Sequence, residues 1–227
     1  MCTSDRREVL IKLEKAVLSA NNRIAEANRA FFRTHRILAI NLLSSPGSGK
    51  TSILCRTVEM LKDRVPVAVI EGDQETFFDA ERIRSTGVKA VQINTSEGCH
   101  LEAESVQKAL EELAPKDNSI LFIENVGNLV CPAAFDLGED AKVVVLSVTE
   151  GEDKPLKYPY TFAAGSVMLL NKTDLLPYLD FDCEACKTYA RRVNPEIEII
   201  ELSAYTGNGF GRWINLLETR LSQIKNK

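Results

Sequence analysis

Residues Ser44-Ser45-Pro46-Gly47-Ser48-Gly49-Lys50-Thr51 place two glycines, a lysine and a hydroxyl at the spacing that wraps a polyphosphate. In such a loop backbone amides converge on phosphate oxygens, glycines permit close approach, and a following helix presents its positive end. Lys50 would neutralise the β and γ phosphates, and the Thr51 hydroxyl would ligate magnesium. Gly47, Ser48, Gly49, Lys50, Thr51 and Ser52 are therefore the expected phosphate contacts. Such loops usually begin with glycine; here that position is Ser44, so the motif is a near match.

A phosphate loop serves ATPases, kinases and GTPases alike, and the base must be chosen elsewhere. Asn171-Lys172-Thr173-Asp174 follows the apolar run Val167–Leu170. At a strand end Asp174 can accept two hydrogen bonds from the ring N–H and amino group of guanine, whereas adenine offers a mismatched edge. Lys172 can lie along the base and Asn171 can brace the loops. An ordinary polar turn also fits this string alone. Ser203-Ala204, after the next run, resembles a further guanine-contacting loop. GTP is favoured over ATP, and a small-molecule kinase would have little use for the Asn171–Asp174 reader.

Carboxylates stand where magnesium and water would be handled. Asp73, in Glu71-Gly72-Asp73, is the candidate for positioning the attacking water or a magnesium-bound water, with a solvated turn carboxylate as its alternative. Glu124 can hold magnesium, directly or through water, and the Gly127 amide can approach a γ-phosphate unobstructed; a structural glycine turn is the rival reading.

The chain has two histidines, and one of them forms Cys99-His100. Cys131 closely follows the Glu124–Gly127 segment. Thiolates and an imidazole suit zinc or nickel better than magnesium, and three ligands leave coordination incomplete, so a dimer interface would complete the site. Two buried thiols beside a helix-entry histidine is an equally open reading. Cys183-x-x-Cys186 has no partner pair nearby and is read as structural, Cys55 as core, and Cys2 as part of a mobile terminus.

These residues need a scaffold. Apolar runs at Ile37–Leu43, Val67–Ile70, Val88–Ile93, Ile120–Ile123, Val143–Val148, Val167–Leu170 and Ile197–Leu202 predict about seven strands. Helix-length segments such as Ser52–Lys62, Glu102–Leu113 and Arg212–Lys225 separate most of them. That alternation implies an α/β fold, a mostly parallel sheet with helices on both faces. Before it, Val9, Leu13, Val17, Ala20, Ile24, Ala27 and Phe31 recur at helical spacing and predict a long amphipathic N-terminal helix. The expected organisation is an N-terminal segment, 1–35, and a nucleotide-binding unit, 36–227, packed as one.

The 227 residues are 44% apolar and 26% charged, an ordinary globular balance. A net charge of −4 without a long basic run argues against nucleic acid. No run is apolar and long enough for a secretory core or a bilayer span, so a cytoplasmic, membrane-free protein with reduced thiols is expected.

Taken together the motifs resemble the HypB family of nickel-inserting GTPases, hydrogenase maturation factors within the SIMIBI class of P-loop NTPases. The resemblance rests on Ser45–Thr51, Glu71–Asp73, Gly98-Cys99-His100-Leu101, Glu124–Pro132 and Thr149–Pro159, and it covers nearly the whole chain. It implies a GTP-regulated homodimer that binds GTP or GDP with Mg2+ and delivers Ni2+ to a [NiFe]-hydrogenase large-subunit precursor, with the accessory protein HypA as a partner. It also implies that Cys99, His100 and Cys131 ligate the metal, nickel or zinc, and that Lys154 matches a family lysine near the partner subunit's nucleotide. Some members carry an N-terminal Cys-x-x-Cys-Gly-Cys site or a histidine-rich tract; with only Cys2 near the start, neither is expected here. The related urease factor UreG uses a Cys-Pro-His motif, unlike the contiguous Cys99-His100. A metal-binding scaffold with little GTP turnover remains the alternative from another class.

Overall fold

Alternate residues of each apolar run face opposite sides of one sheet. In the computed structural model, which describes the backbone of residues 3–73, 78–95 and 98–226 and the side chains of 16–72, 80–95 and 98–226, seven strands form that sheet. They are β1 (Leu38–Ser44), β2 (Val67–Asp73), β3 (Lys89–Asn94), β4 (Ile120–Gly127), β5 (Ala141–Ser147), β6 (Val167–Asn171) and β7 (Glu198–Glu201). Their order is β3-β2-β4-β1-β5-β6-β7, and every pairing is parallel. Burial on both faces explains why the strands read as continuous apolar runs.

Leu38, Ile40 and Leu42 of β1 face α2 (Lys50–Leu61) and α9 (Phe210–Lys225), sharing a core with Leu54, Val58, Trp213 and Leu217. Ile37 and Ala39 face the other side, with α1 (Thr3–Thr34) and α4 (Ala103–Leu113). Farther along that side, Val144 and Met168 meet α7 (Pro159–Ala164) and α8 (Cys183–Val193). The chain's one tryptophan, Trp213, is buried, and its indole N–H donates to Thr57 Oγ1 on α2 at 3.0 Å.

The N-terminal helix exists, and its buried side matches the predicted apolar stripe only in part: Ile24 and Phe31 are half-buried, and the side chains of Val9 and Leu13 lie outside the described residues. Asn21, Ala25, Asn28 and Phe32 face inward, while Val17 is 53% exposed and Ala20 and Ala27 are also exposed. The cause is local satisfaction of distant backbone. The first turn of α4 has no side-chain cap of its own, and Asn21 Oδ1 accepts from Ala103 N at 2.9 Å. Asn28 Nδ2 donates to the carbonyls of Ala103 and Leu137. Arg29 adds a two-toothed ion pair with Asp136, at 2.7 and 2.8 Å.

Two shorter helices complete the frame near the site, α5 (Cys131–Ala134) and α6 (Lys154–Lys157), with α3 (Phe78–Arg84) between β2 and β3. The sheet grows to one side of β1 through β2, β3 and β4 and to the other through β5, β6 and β7. A crevice therefore opens at the carboxyl end of β1, where an α/β sheet offers its ligand site.

Candidate functional site

The loop from Ser44 to Thr51 lies in that crevice, joining β1 to α2. Gly47 and Gly49 both adopt left-handed backbone, φ 75° and 96°. At Gly49 a Cβ would lie 2.5 Å from Asn171 Nδ2, so glycine is demanded by crowding as well as by conformation. The first turn of α2 has neither a side-chain cap nor an acid, leaving its amides for an anion. Lys50 Nζ donates to Ser44 Oγ at 2.8 Å, which gives the residue replacing the usual first glycine a contact of its own. Ser48 is buried beneath the loop.

Thr51 Oγ1 donates to Glu124 Oε1 at 2.8 Å. A hydroxyl and a carboxylate together are the donor set of a hard cation, so Thr51 and Glu124 fit magnesium. Gly127, at the end of the same strand, sits where a Cβ would press on Pro46 at 3.2 Å. Asp73 ends β2, two residues beyond Glu71, which pairs in register with Glu124. Its side chain lies outside the described residues. Around these groups is a cleft of about 540 Å3 whose walls include Lys50, Thr51, Glu124 and Gly127. Arg82 of α3 also lines it and donates to Ser52 Oγ at 3.2 Å, a residue that sequence reasoning passed over because α3 lacks a motif.

The residues expected to read the base meet the loop between β1 and α2 directly. Asn171 Nδ2 donates to Ser48 O at 2.9 Å and its Oδ1 accepts from Ala204 N at 3.0 Å, while Lys172 Nζ donates to Gly47 O at 2.8 Å. Ser203 is fully buried and its hydroxyl donates to Asp174 Oδ1, so it orients the carboxylate from behind. Asn171, Lys172, Asp174, Ala204 and Tyr205 line an adjoining cavity of about 370 Å3. Lys154 Nζ lies 3.6 Å from Glu150, which also accepts from Ser45 Oγ and from Ser147 N, tying the loop after β5 to the phosphate loop. Nothing in the sequence marked Glu150 for that part.

Cys99, His100 and Cys131 come together, with one ligand atom from each lying within 4.8 Å of the others; among the described residues no other such group of three occurs. Cys99 Sγ is 3.5 Å from His100 Nδ1. Hydrogen bonding to Cys131, and then burial, push the Cys99 thiol up. Burial pushes His100 down, keeping its imidazole neutral and able to ligate. Its ring stacks on Phe135, 3.8 Å between centroids. Cys183 and Cys186 sit apart on α8, where burial raises Cys186 to about 12, so both read as packing thiols. Cys55 packs against the α2 side of the core, and Cys2 lies outside the described residues.

Residues 38–201 match the family model described as CobW/HypB/UreG, nucleotide-binding domain. The chain is 62% identical over 217 residues to hydrogenase maturation factor HypB of Escherichia coli strain K12, covering 96% of this chain and 74% of that protein. Its structure is similar to that of hydrogenase maturation factor HypB from Archaeoglobus fulgidus, with a TM-score of 0.84 and 40% identity over 90% of this chain and 100% of that one. It is also similar to HypB from Helicobacter pylori in complex with nickel, with a TM-score of 0.83 and 35% identity over 90% of this chain and 96% of that one.

Proposed function

This chain belongs to the HypB hydrogenase maturation factors of the CobW/HypB/UreG family, and from that premise we propose that it is a slow GTPase that carries nickel to a [NiFe]-hydrogenase precursor. The observation that carries the reading is the run from Glu124 to Cys131. Glu124 takes the Thr51 hydroxyl at one end, and Cys131 joins the thiol and imidazole cluster seven residues later. A change in the phosphate site therefore has a short covalent route to the metal ligands.

In this proposal the phosphate-loop amides and Lys50 bind and orient the GTP phosphates, Asp174 and Lys172 select guanine, and Asp73 positions water. Magnesium held by Thr51 and Glu124 would supply neutralisation of phosphate charge. Cys99, His100 and Cys131 accept nickel as cargo, with zinc as a competitor of similar preference. Three ligands per subunit leave the coordination open, so a homodimer completes it and brings Lys154 toward the partner's nucleotide. The N-terminal helix moves with residues 36–227 as one unit. A HypA-like accessory protein and the hydrogenase large-subunit precursor are the partners, in the cytoplasm, where GTP and reduced thiols are both available.

The test is a paired titration with nickel and zinc in the presence of GDP or a non-hydrolysable GTP analogue, with subunit mass followed as metal binds. The reading requires metal affinity and dimer population to differ between the two nucleotides. Equal affinity and equal mass in both would reject it.

A further inference from the structure

Three buried side chains hydrogen-bonded in a row, Asn125, Asn41 and Glu139, and a half-buried lysine ion-paired to the last of them, run from one loop of the metal cluster to the other through the strands serving the phosphate site. Asn125 follows Glu124 in β4 and is 1% exposed. Its Oδ1 accepts from Leu101 N at 3.1 Å, the residue after His100, and from Val126 N at 3.0 Å. Its Nδ2 donates to Asn41 Oδ1 on β1 at 3.2 Å. Asn41, fully buried, donates from Nδ2 to Glu139 Oε1 at 3.1 Å. Lys142 Nζ lies 3.6 Å from that carboxylate and donates to the carbonyls of Ala133 and Phe135 at 3.0 and 2.8 Å. Those carbonyls belong to α5 and the residue after it, the segment that bears Cys131 and the ring stacked on His100.

The chain has a direction. A carboxylate only accepts, so Glu139 turns the Asn41 amide nitrogen toward itself and the Asn41 oxygen toward Asn125. Asn125 must then present its nitrogen to Asn41 and its oxygen to two backbone N–H groups, which can only donate. Reversing either amide would set like groups against each other inside the protein, leaving buried polar atoms unsatisfied. One orientation is thereby selected for both loops of the cluster.

We infer that Asn125 and Asn41 are positioning residues of the metal centre, holding the Cys99-His100 loop and the Cys131 helix in one geometry relative to β1 and β4. This inference rests on the proposed reading that the cluster carries nickel. Neither amide touches a ligand atom in any described contact; they act through backbone at Leu101 and, by way of Glu139 and Lys142, at Ala133 and Phe135. Groups that orient metal ligands from behind change affinity about 10–100-fold when removed.

The experiment measures nickel affinity and guanine-nucleotide affinity of the full chain as wild type, Asn125→Ala, Asn41→Ala and Glu139→Gln. Leu217→Ala, on the α9 side of the sheet, serves as a control for general loss of stability, followed by thermal unfolding. Asn125→Ala and Asn41→Ala should weaken nickel at least about tenfold while nucleotide affinity stays within about threefold. Glu139→Gln retains volume and hydrogen bonding but releases the direction, and should weaken nickel severalfold. Unchanged nickel affinity in Glu139→Gln and in whichever alanine variants fold would overturn the inference. So would an equal loss in Leu217→Ala. A wild-type chain that takes up no nickel would fail before any substitution is made, and would reject the proposed function itself.

Discussion

The Thr51 hydroxyl and the Glu124 carboxylate meet at 2.8 Å, one group from the start of α2 and the other from within β4. The two are 73 residues apart in sequence, and only the parallel pairing of β1 with β4 makes them neighbours.

Glu124→Gln preserves shape and hydrogen bonding but removes the charge that would face the proposed magnesium. Magnesium-dependent GTP turnover should fall about 100-fold, by analogy with the loss of a preorganised electrostatic group. Nucleotide affinity in EDTA should hold. Steady-state phosphate release and binding of a fluorescent guanine nucleotide, measured side by side, separate the two; unchanged turnover would remove Glu124 from the cation site.

Asp174→Asn replaces a double acceptor with a group that offers one acceptor and one donor. GTP should weaken about 100-fold, the scale of losing charge-assisted hydrogen bonds, and XTP should gain. Competition of GTP and XTP against a labelled nucleotide reads this directly. Unaltered preference would mean that guanine is read elsewhere.

If Cys131 is a nickel ligand as proposed, Cys131→Ala should weaken nickel at least about tenfold, since a direct ligand matters no less than a group behind one. Cys183→Ala, on α8, should leave it unchanged. Equilibrium dialysis with nickel counts both, and equal losses would indicate thiol binding without a defined centre.

Asp136→Asn tests the latch between the N-terminal helix and the loop that follows α5. Burial alone would raise this carboxylate, yet the Arg29 guanidinium and the Gly138 N–H outweigh it and hold it below its ordinary 3.8. A carboxylate depressed in the folded state contributes stability above its unfolded value and loses it as pH falls through the folded one. With both partners partly exposed, the variant should be less stable by about 1 kcal/mol near neutral pH. The wild-type and variant curves should converge as pH drops below 3.8, in denaturant unfolding followed across pH. A gap that persists in acid would assign the loss to packing.

Much of this molecule is legible in its sequence because the chemistry is local there. Residues 44–51 and 171–174 are contiguous, and parallel strands buried on both faces announce themselves as apolar runs. The strand at 67–70 was harder to bound: β2 continues through Glu71 to Asp73, and a carboxylate in a strand looks like its end until its burial is known. Helix α1 misleads for a related reason. Its inward face includes Asn21 and Asn28, whose partners at Ala103, Asp136 and Leu137 are far away in sequence, so hydropathy alone rotates the expected face away from them and toward the exposed Val17, Ala20 and Ala27. Asn41 and Asn125 were invisible likewise. An amide within an apolar strand gives no sign of which distant backbone it serves.

The lone indole has a practical meaning. Trp213 is shielded from water and hydrogen-bonded to Thr57 on the helix that begins at Lys50. It gives the protein a built-in fluorescent gauge, carried on α9 and packed against the helix whose first turn borders the proposed phosphate site. Loading of the crevice can thus be watched by ultraviolet emission on unlabelled material, free of any second tryptophan's background.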